Sequence, residues 1–161
     1  MPEVKALPAR AGSAVERPRL YHVDPAGLTL AERAQARQEA MGLRATWPVP
    51  GYDEDSPERA RFNVALAYGM WAVDPPEADT LGILAYHLTR HTMRVIHSHR
   101  YIVTAALVGE RATISVLALA GRTVEVTDPG TSADVRRIAE TWGALPLEAG
   151  PCLYAAATVT G

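Results

Sequence analysis

A chain of 161 residues, 48% apolar and 21% charged, has the length and composition of one globular domain with a sizeable core. Its formal net charge of −2 excludes an overall electrostatic pull toward nucleic acid or an anionic membrane. A single cysteine, Cys152, rules out an internal disulfide and suits a reducing compartment, where it is expected to be an inert strand residue. The only lysine, Lys5, falls in the first few residues, which leaves no phosphate-loop or Schiff-base lysine for the folded part. The first stretch lacks the apolar run of a signal peptide, and no segment approaches the roughly 18 apolar residues of a membrane span. The expected location is cytoplasmic.

Residues 1–27 carry Pro2, Pro8, Pro18 and Pro25 without sustained periodicity and are expected to form an irregular arm; residues 28–161 make a single α+β domain. A capping box, Thr29 with Glu32, opens a first helix ending near Gly42, after which "WPVPGYDED" is expected to break the chain. The acidic part of that stretch, Asp53 to Asp55, reads as a solvated lead into a helix. Ser56-Pro57 marks the second helix, with Ser56 as N-cap and Phe62, Ala65, Leu66, Met70 and Val73 at helical spacing. Asp74-Pro75 repeats the signal for a longer helix to about His97, with Leu81, Leu84, Ala85, Leu88, Met93 and Val95 along one buried stripe.

The pattern then switches to β-branched runs. "YIVTAALVGE", "RATISVLALAG" and "RTVEVTD" predict an antiparallel meander with turns at Gly109-Glu110 and Ala120-Gly121. Val135, Ile138, Ala139 and Trp142 predict a short amphipathic helix, and "CLYAAATV" a last strand. Helices followed by a mostly antiparallel sheet with one inserted helix imply a two-layer α+β sandwich. Trp47, Trp71 and Trp142 are expected in the core.

The segment "HLTRHTMRVIHSHR", residues 87–100, holds four of the five histidines. Three readings stay open. His87 and His91, spaced i, i+4 on a helix, would share a transition metal if His97, His99, Asp79 or Asp128 supplied a third ligand. Arg90, Arg94 and Arg100 with the histidines would hold an anion. The plainest reading is a solvated helix face and its exit loop.

Three stretches resemble the histidine-kinase-like (GHKL) ATPase fold, in the small form of actinobacterial anti-sigma serine kinases, over residues 57–160. "ARFNVALAYGMWAVDPPEADTLGILAYHLTRH" is similar to that family's first helix, its tryptophan and the N-box helix ending in Arg-His. "VEVTDPG" is similar to the strand carrying the Asp-x-Gly of the G1 box, and "IAETWGALPLEAGPCLYAAATV" to the closing helix, Trp-Gly turn and strand. An arginine- and alanine-rich composition fits the GC-rich genome of such a source. The resemblance implies ATP held through Asp128 and Gly130, near His87, His91 and Arg94. It also implies a protein partner such as a sigma factor, an anti-sigma antagonist or another transcriptional regulator, and homodimers are common in the family.

Setting Arg90-His91 on the family's Arg-His places Ile83 and His87 where the N-box glutamate and asparagine would stand. Isoleucine is no base, and imidazole is a poor ligand for Mg²⁺, which prefers oxygen. Ser132 replaces the second glycine of the G1 box, and only "PGTSAD" separates Asp128 from Val135, too little for a glycine-rich phosphate lid. The expectation is a degenerate member that binds a protein, with weak or absent kinase activity and no cofactor required. Retained ATP or ADP binding is the second reading, and a His87/His91 metal module the third.

Overall fold

The computed structural model describes residues 42–119 and 132–160. In chain order these form β1 (Leu43–Pro50), α1 (Ser56–Met70), α2 (Pro75–Val95), β2 (Arg100–Val108), β3 (Arg111–Ala118), α3 (Ala133–Ile138), β4 (Thr141–Leu147) and β5 (Gly150–Thr158). The five strands make one antiparallel sheet in the order β1-β2-β3-β5-β4. The architecture is therefore the α+β arrangement that the sequence implied. The arm over 1–27, most of the helix expected over 29–42, the strand expected at "RTVEVTD", Asp128 and Gly130 lie outside the described residues.

Alternation along the strands separates the two faces of the sheet. Tyr101, Val103, Ala105 and Leu107 of β2, with Ala112, Ile114, Val116 and Ala118 of β3, join helical residues such as Leu84 and Leu88 in the main core. Ile102, Leu117 and Cys152 form a second cluster on the opposite face, with Leu145, Leu147 and Tyr154 against it. Both faces of β2 and β3 are buried, which is why these strands read as continuous apolar runs.

The stretch "WPVP" is the end of β1 and not a break. Its prolines are tolerated because β1 is an edge strand, in register with β2 from Leu43↔Leu107 to Pro50↔Arg100. The other edge, β4, carries Pro146. Trp142 likewise moves from its expected helix to β4: α3 stops after six residues with Ala139 extended, and Trp142 pairs with Ala155 and packs on the main core.

Ser56 is not the N-cap of α1. Asp55 occupies that position, Pro57 sits in the first turn as expected, and the Ser56 hydroxyl donates to the Pro50 carbonyl at 2.7 Å, tying α1 to the end of β1. The larger correction concerns which face of α1 is buried. Ala60, Val64, Ala67 and Tyr68 point inward, whereas Phe62, Leu66 and Met70 are 67%, 53% and 76% exposed.

The close approach of α2 accounts for this choice. A Cβ built on Gly82 would lie 2.8 Å from the Arg61 carbonyl oxygen and 3.0 Å from the Ala65 Cβ, so the two helices touch almost backbone to backbone. Small side chains at that seam allow the contact; Phe or Met there would overfill it. Tyr68 reaches past the seam to the sheet, where its hydroxyl lies 2.9 Å from the Ala106 carbonyl oxygen and 3.1 Å from that of Thr113. Burial pushes its phenol well above the usual range, which keeps it a neutral donor, and Trp71 packs edge-on at 5.3 Å.

On α2 the expected stripe is buried at Leu81, Leu84, Ala85 and Leu88, with Met93 and Val95 half-buried at its end. The helix ends at Val95 with Ile96 as its extended C-cap, and the Tyr101 hydroxyl donates to the Ile96 carbonyl.

Candidate functional site

The residues singled out in 87–100 divide among three settings. His87 and His91 lie one turn apart on α2; Arg90 and Arg94 on the same helix are exposed. His97 and His99 sit beyond its end in the connection to β2 and are exposed, where the His99 carbonyl accepts from the Gly51 amide at 2.8 Å. The four histidines therefore do not converge on one point. Among the described residues, no three His, Cys, Asp or Glu side chains are grouped to hold a metal ion.

Around His87 a polar cluster forms between α2 and α3. Ser132 caps α3, its hydroxyl accepting from the Val135 amide at 3.4 Å, and this places Asp134 in the first turn. Asp134 Oδ2 lies 3.5 Å from His87 Nδ1, and its other oxygen accepts from the Arg137 guanidinium. Tyr86 packs edge-on against the His87 ring at 5.3 Å. His91, one turn on, is buried, and Ile83, one turn before His87, is half-buried.

This cluster can orient an imidazole and clamp a short helix against α2. The sequence reading supplied His87 but not its partner: Asp134 is distant in the chain, and its role depends on α3 docking. A carboxylate two residues beyond a serine cap was the available signal, since acidic residues favour a helix N-terminus.

Cys152 stands apart from this cluster, on β5 and in the second face of the sheet. Burial pushes its thiol up to about 12, leaving almost no thiolate near neutral pH. It is a buried strand residue, the position that the sequence suggested.

In fold the chain is similar to the crystal structure of the RsbU and RsbW domains of Rv1364c from Mycobacterium tuberculosis, with a TM-score of 0.56 and 10% identity. The fold is RsbW-like. The likeness covers 73% of this chain and 32% of that one, so this chain spans about a third of that protein's length. At such an identity the shared property is the arrangement of helices and sheet, and no residue of the site is carried across. No protein-family model matches the sequence. No curated protein matches it either. Among the described residues, no helix is long and apolar enough to cross a membrane.

Proposed function

We propose that this protein is a regulator with a GHKL-like fold that binds a protein partner and has lost the family's phosphotransfer chemistry. The partner class is a sigma factor, an anti-sigma antagonist or another transcriptional regulator. One observation carries the reading: on the helix resembling the N-box, Ile83 and His87 stand one turn apart where a base and a metal ligand would be needed, and His87 faces Asp134, whose other oxygen holds Arg137. An RsbW-like fold in the Mycobacterium tuberculosis protein supports the regulatory class. Purified protein incubated with labelled Mg-ATP and candidate partners should show neither hydrolysis nor transfer above the buffer blank. ATP-dependent phosphorylation of a partner, abolished by Asp128→Ala, overturns the proposal.

A specific contact favours a second reading, in which ATP or ADP is still bound without turnover. The contact of Asp134 with His87 brings α3, which follows the G1-like stretch in sequence, against the helix resembling the N-box. Asp128 and Gly130 would then meet adenine while His87, His91 and Arg94 replace the usual phosphate contacts. Calorimetric titration with ATP and ADP decides this, and no heat of binding near millimolar nucleotide retires it. The metal reading of His87 and His91 is tested by elemental analysis of untagged protein, where stoichiometric zinc, nickel or copper would revive it.

A further inference from the structure

Among the described residues, the outward face of α1 is the surface whose composition the fold does not account for. Phe62, Leu66 and Met70 recur at i, i+4 and i+8, so they line one side of the helix over roughly 12 Å of its axis. All three are large and more than half exposed. The closest approach of α1 to α2 is made by Arg61 and Ala65 at Gly82, not by these three side chains. Isolated exposed apolar residues need no explanation; a continuous stripe on a charged surface does.

The stripe runs into a groove of about 550 Å³ at the turn between α1 and α2. Leu66, Gly69, Met70, Val73, Asp74 and Asp79 are among the residues that line it. The turn is held open by Ala72, whose φ of 63° puts a non-glycine residue in the left-handed region at the C-terminal cap. Its amide donates to the Gly69 carbonyl and that of Val73 to the Tyr68 carbonyl, which fixes the shape of the groove. Both Asp74 and Asp79 are exposed, and among the described residues neither takes part in an ion pair. On α1 itself Arg59 lies 2.8 Å from Asp53 and Arg61 lies 3.7 Å from Glu58, so these arginines are already paired. The unpaired charge beside the groove is therefore negative.

We infer that this face of α1 is a docking surface for an amphipathic helix of a partner protein, with an apolar stripe against Phe62, Leu66 and Met70 and basic residues against Asp74 and Asp79. The inference rests on the reading that the protein acts by binding another protein. Three half-exposed side chains offer on the order of 400 Å² of apolar surface, typical of a functional patch on a monomer. That is well short of the roughly 800 Å² per partner of a stable protein dimer, so one short helix fits the surface better than a second copy does. Apolar anchors at helical spacing laid into an apolar groove are a recurrent mode of helix recognition.

The test uses the full chain and three labelled 18-residue peptides. One is a Leu/Lys helix with leucines at i, i+3, i+4 and i+7; one has the same pattern with Glu for Lys; one scrambles the Leu/Lys composition so that no stripe forms. Fluorescence anisotropy should show saturable binding of the first, at least tenfold weaker binding of the other two, and weakening with salt. A Phe62→Ser/Leu66→Ser variant, which removes only exposed side chains, should lose at least tenfold in affinity with an unchanged circular dichroism spectrum. Asp79→Asn should lose a smaller factor, since it removes charge and keeps the stripe. Equal binding of the scrambled peptide, equal binding by the double-serine variant, or no binding at all overturns the docking surface. A dimer that Phe62→Ser/Leu66→Ser converts to monomer in sedimentation assigns the face to a second copy and also overturns it. ATP-driven phosphate transfer would sink the regulatory reading while the peptide titrations still decide the groove. A partner crosslinked only to surfaces away from α1 sinks the groove and leaves the regulatory reading standing.

Discussion

Helices α1 and α2 pack side by side, yet they distribute their side chains in opposite ways. The longer helix buries large aliphatics, Leu81, Leu84 and Leu88, against the sheet. The shorter one buries Ala60, Val64, Ala67 and the single long reach of Tyr68, and turns Phe62, Leu66 and Met70 outward. Both sequences contain an apolar stripe at helical spacing, so periodicity alone gives them the same reading. What separates them is distance: α2 lies over the sheet at a spacing that large side chains fill, and α1 meets α2 at Gly82, where there is room only for small ones.

The sharpest way to break this contrast is to truncate one residue on each face of α1. Tyr68→Ala should cost about 3–5 kcal/mol of stability by urea denaturation, as large aromatic truncations in cores do, whereas Phe62→Ala should stay within about 0.5 kcal/mol. Tyr68→Phe should cost about 1–2 kcal/mol by removing the buried donor to the sheet carbonyls. If Phe62→Ala proved as damaging as Tyr68→Ala, the assignment of faces would be wrong.

The seam itself is probed by Gly82→Ala. Its new Cβ meets the Arg61 backbone oxygen at 2.8 Å, so one helix must shift, and thermal unfolding should report a loss of about 1–3 kcal/mol despite alanine's better helix propensity. A gain in stability would mean that the two helices have more freedom to separate than their contact indicates.

Alkaline pH sharpens the same comparison through buried acids. Burial raises the Cys152 thiol from 9.0 to about 12 in the folded chain and also raises the Tyr68 phenol. Below pH 9 the thiol is neutral in both states and this contribution to stability is fully present. Above it the unfolded thiol ionises first, the unfolded state binds fewer protons, and stability falls until about pH 12. The thiol alone should account for about 2 kcal/mol of loss between pH 8 and pH 10.5, read from urea midpoints, and Cys152→Ala should remove that share.

The smallest effect is expected at the polar contact between α2 and α3. Asp134→Asn should cost about 0.2–1 kcal/mol, because its partners Arg137 and His87 remain partly open to solvent, and high salt should shrink the difference. A loss several times larger would show that α3 depends on this carboxylate for its docking.

Much of the architecture was legible in the chain. The paired Ser-Pro and Asp-Pro starts located α1 and α2, β-branched runs located β2 and β3, and the apolar run "CLYAAATV" located β5. β1 was hidden because two prolines in four residues argue against a strand unless it lies at an edge, and edge position is a property of the assembled sheet. Trp142 was misplaced for a related reason, since an apolar residue four beyond Ile138 fits a helix until Ala139 turns extended. At the site, the spacing of Ile83, His87 and His91 was readable, but the environment of each was not. One histidine meets a carboxylate from a different helix and the other is buried, and both outcomes depend on docking between segments distant in sequence.

The prolines at the two ends of the sheet have a consequence for how this chain meets its neighbours. Pro48 and Pro50 in β1 and Pro146 in β4 each lack the amide hydrogen that an added strand would need. A second polypeptide laid along either edge would find a ladder with missing rungs, which guards a strongly apolar sheet against fibril-like growth. Association of this protein with other chains is thereby steered away from backbone pairing and onto its side chains.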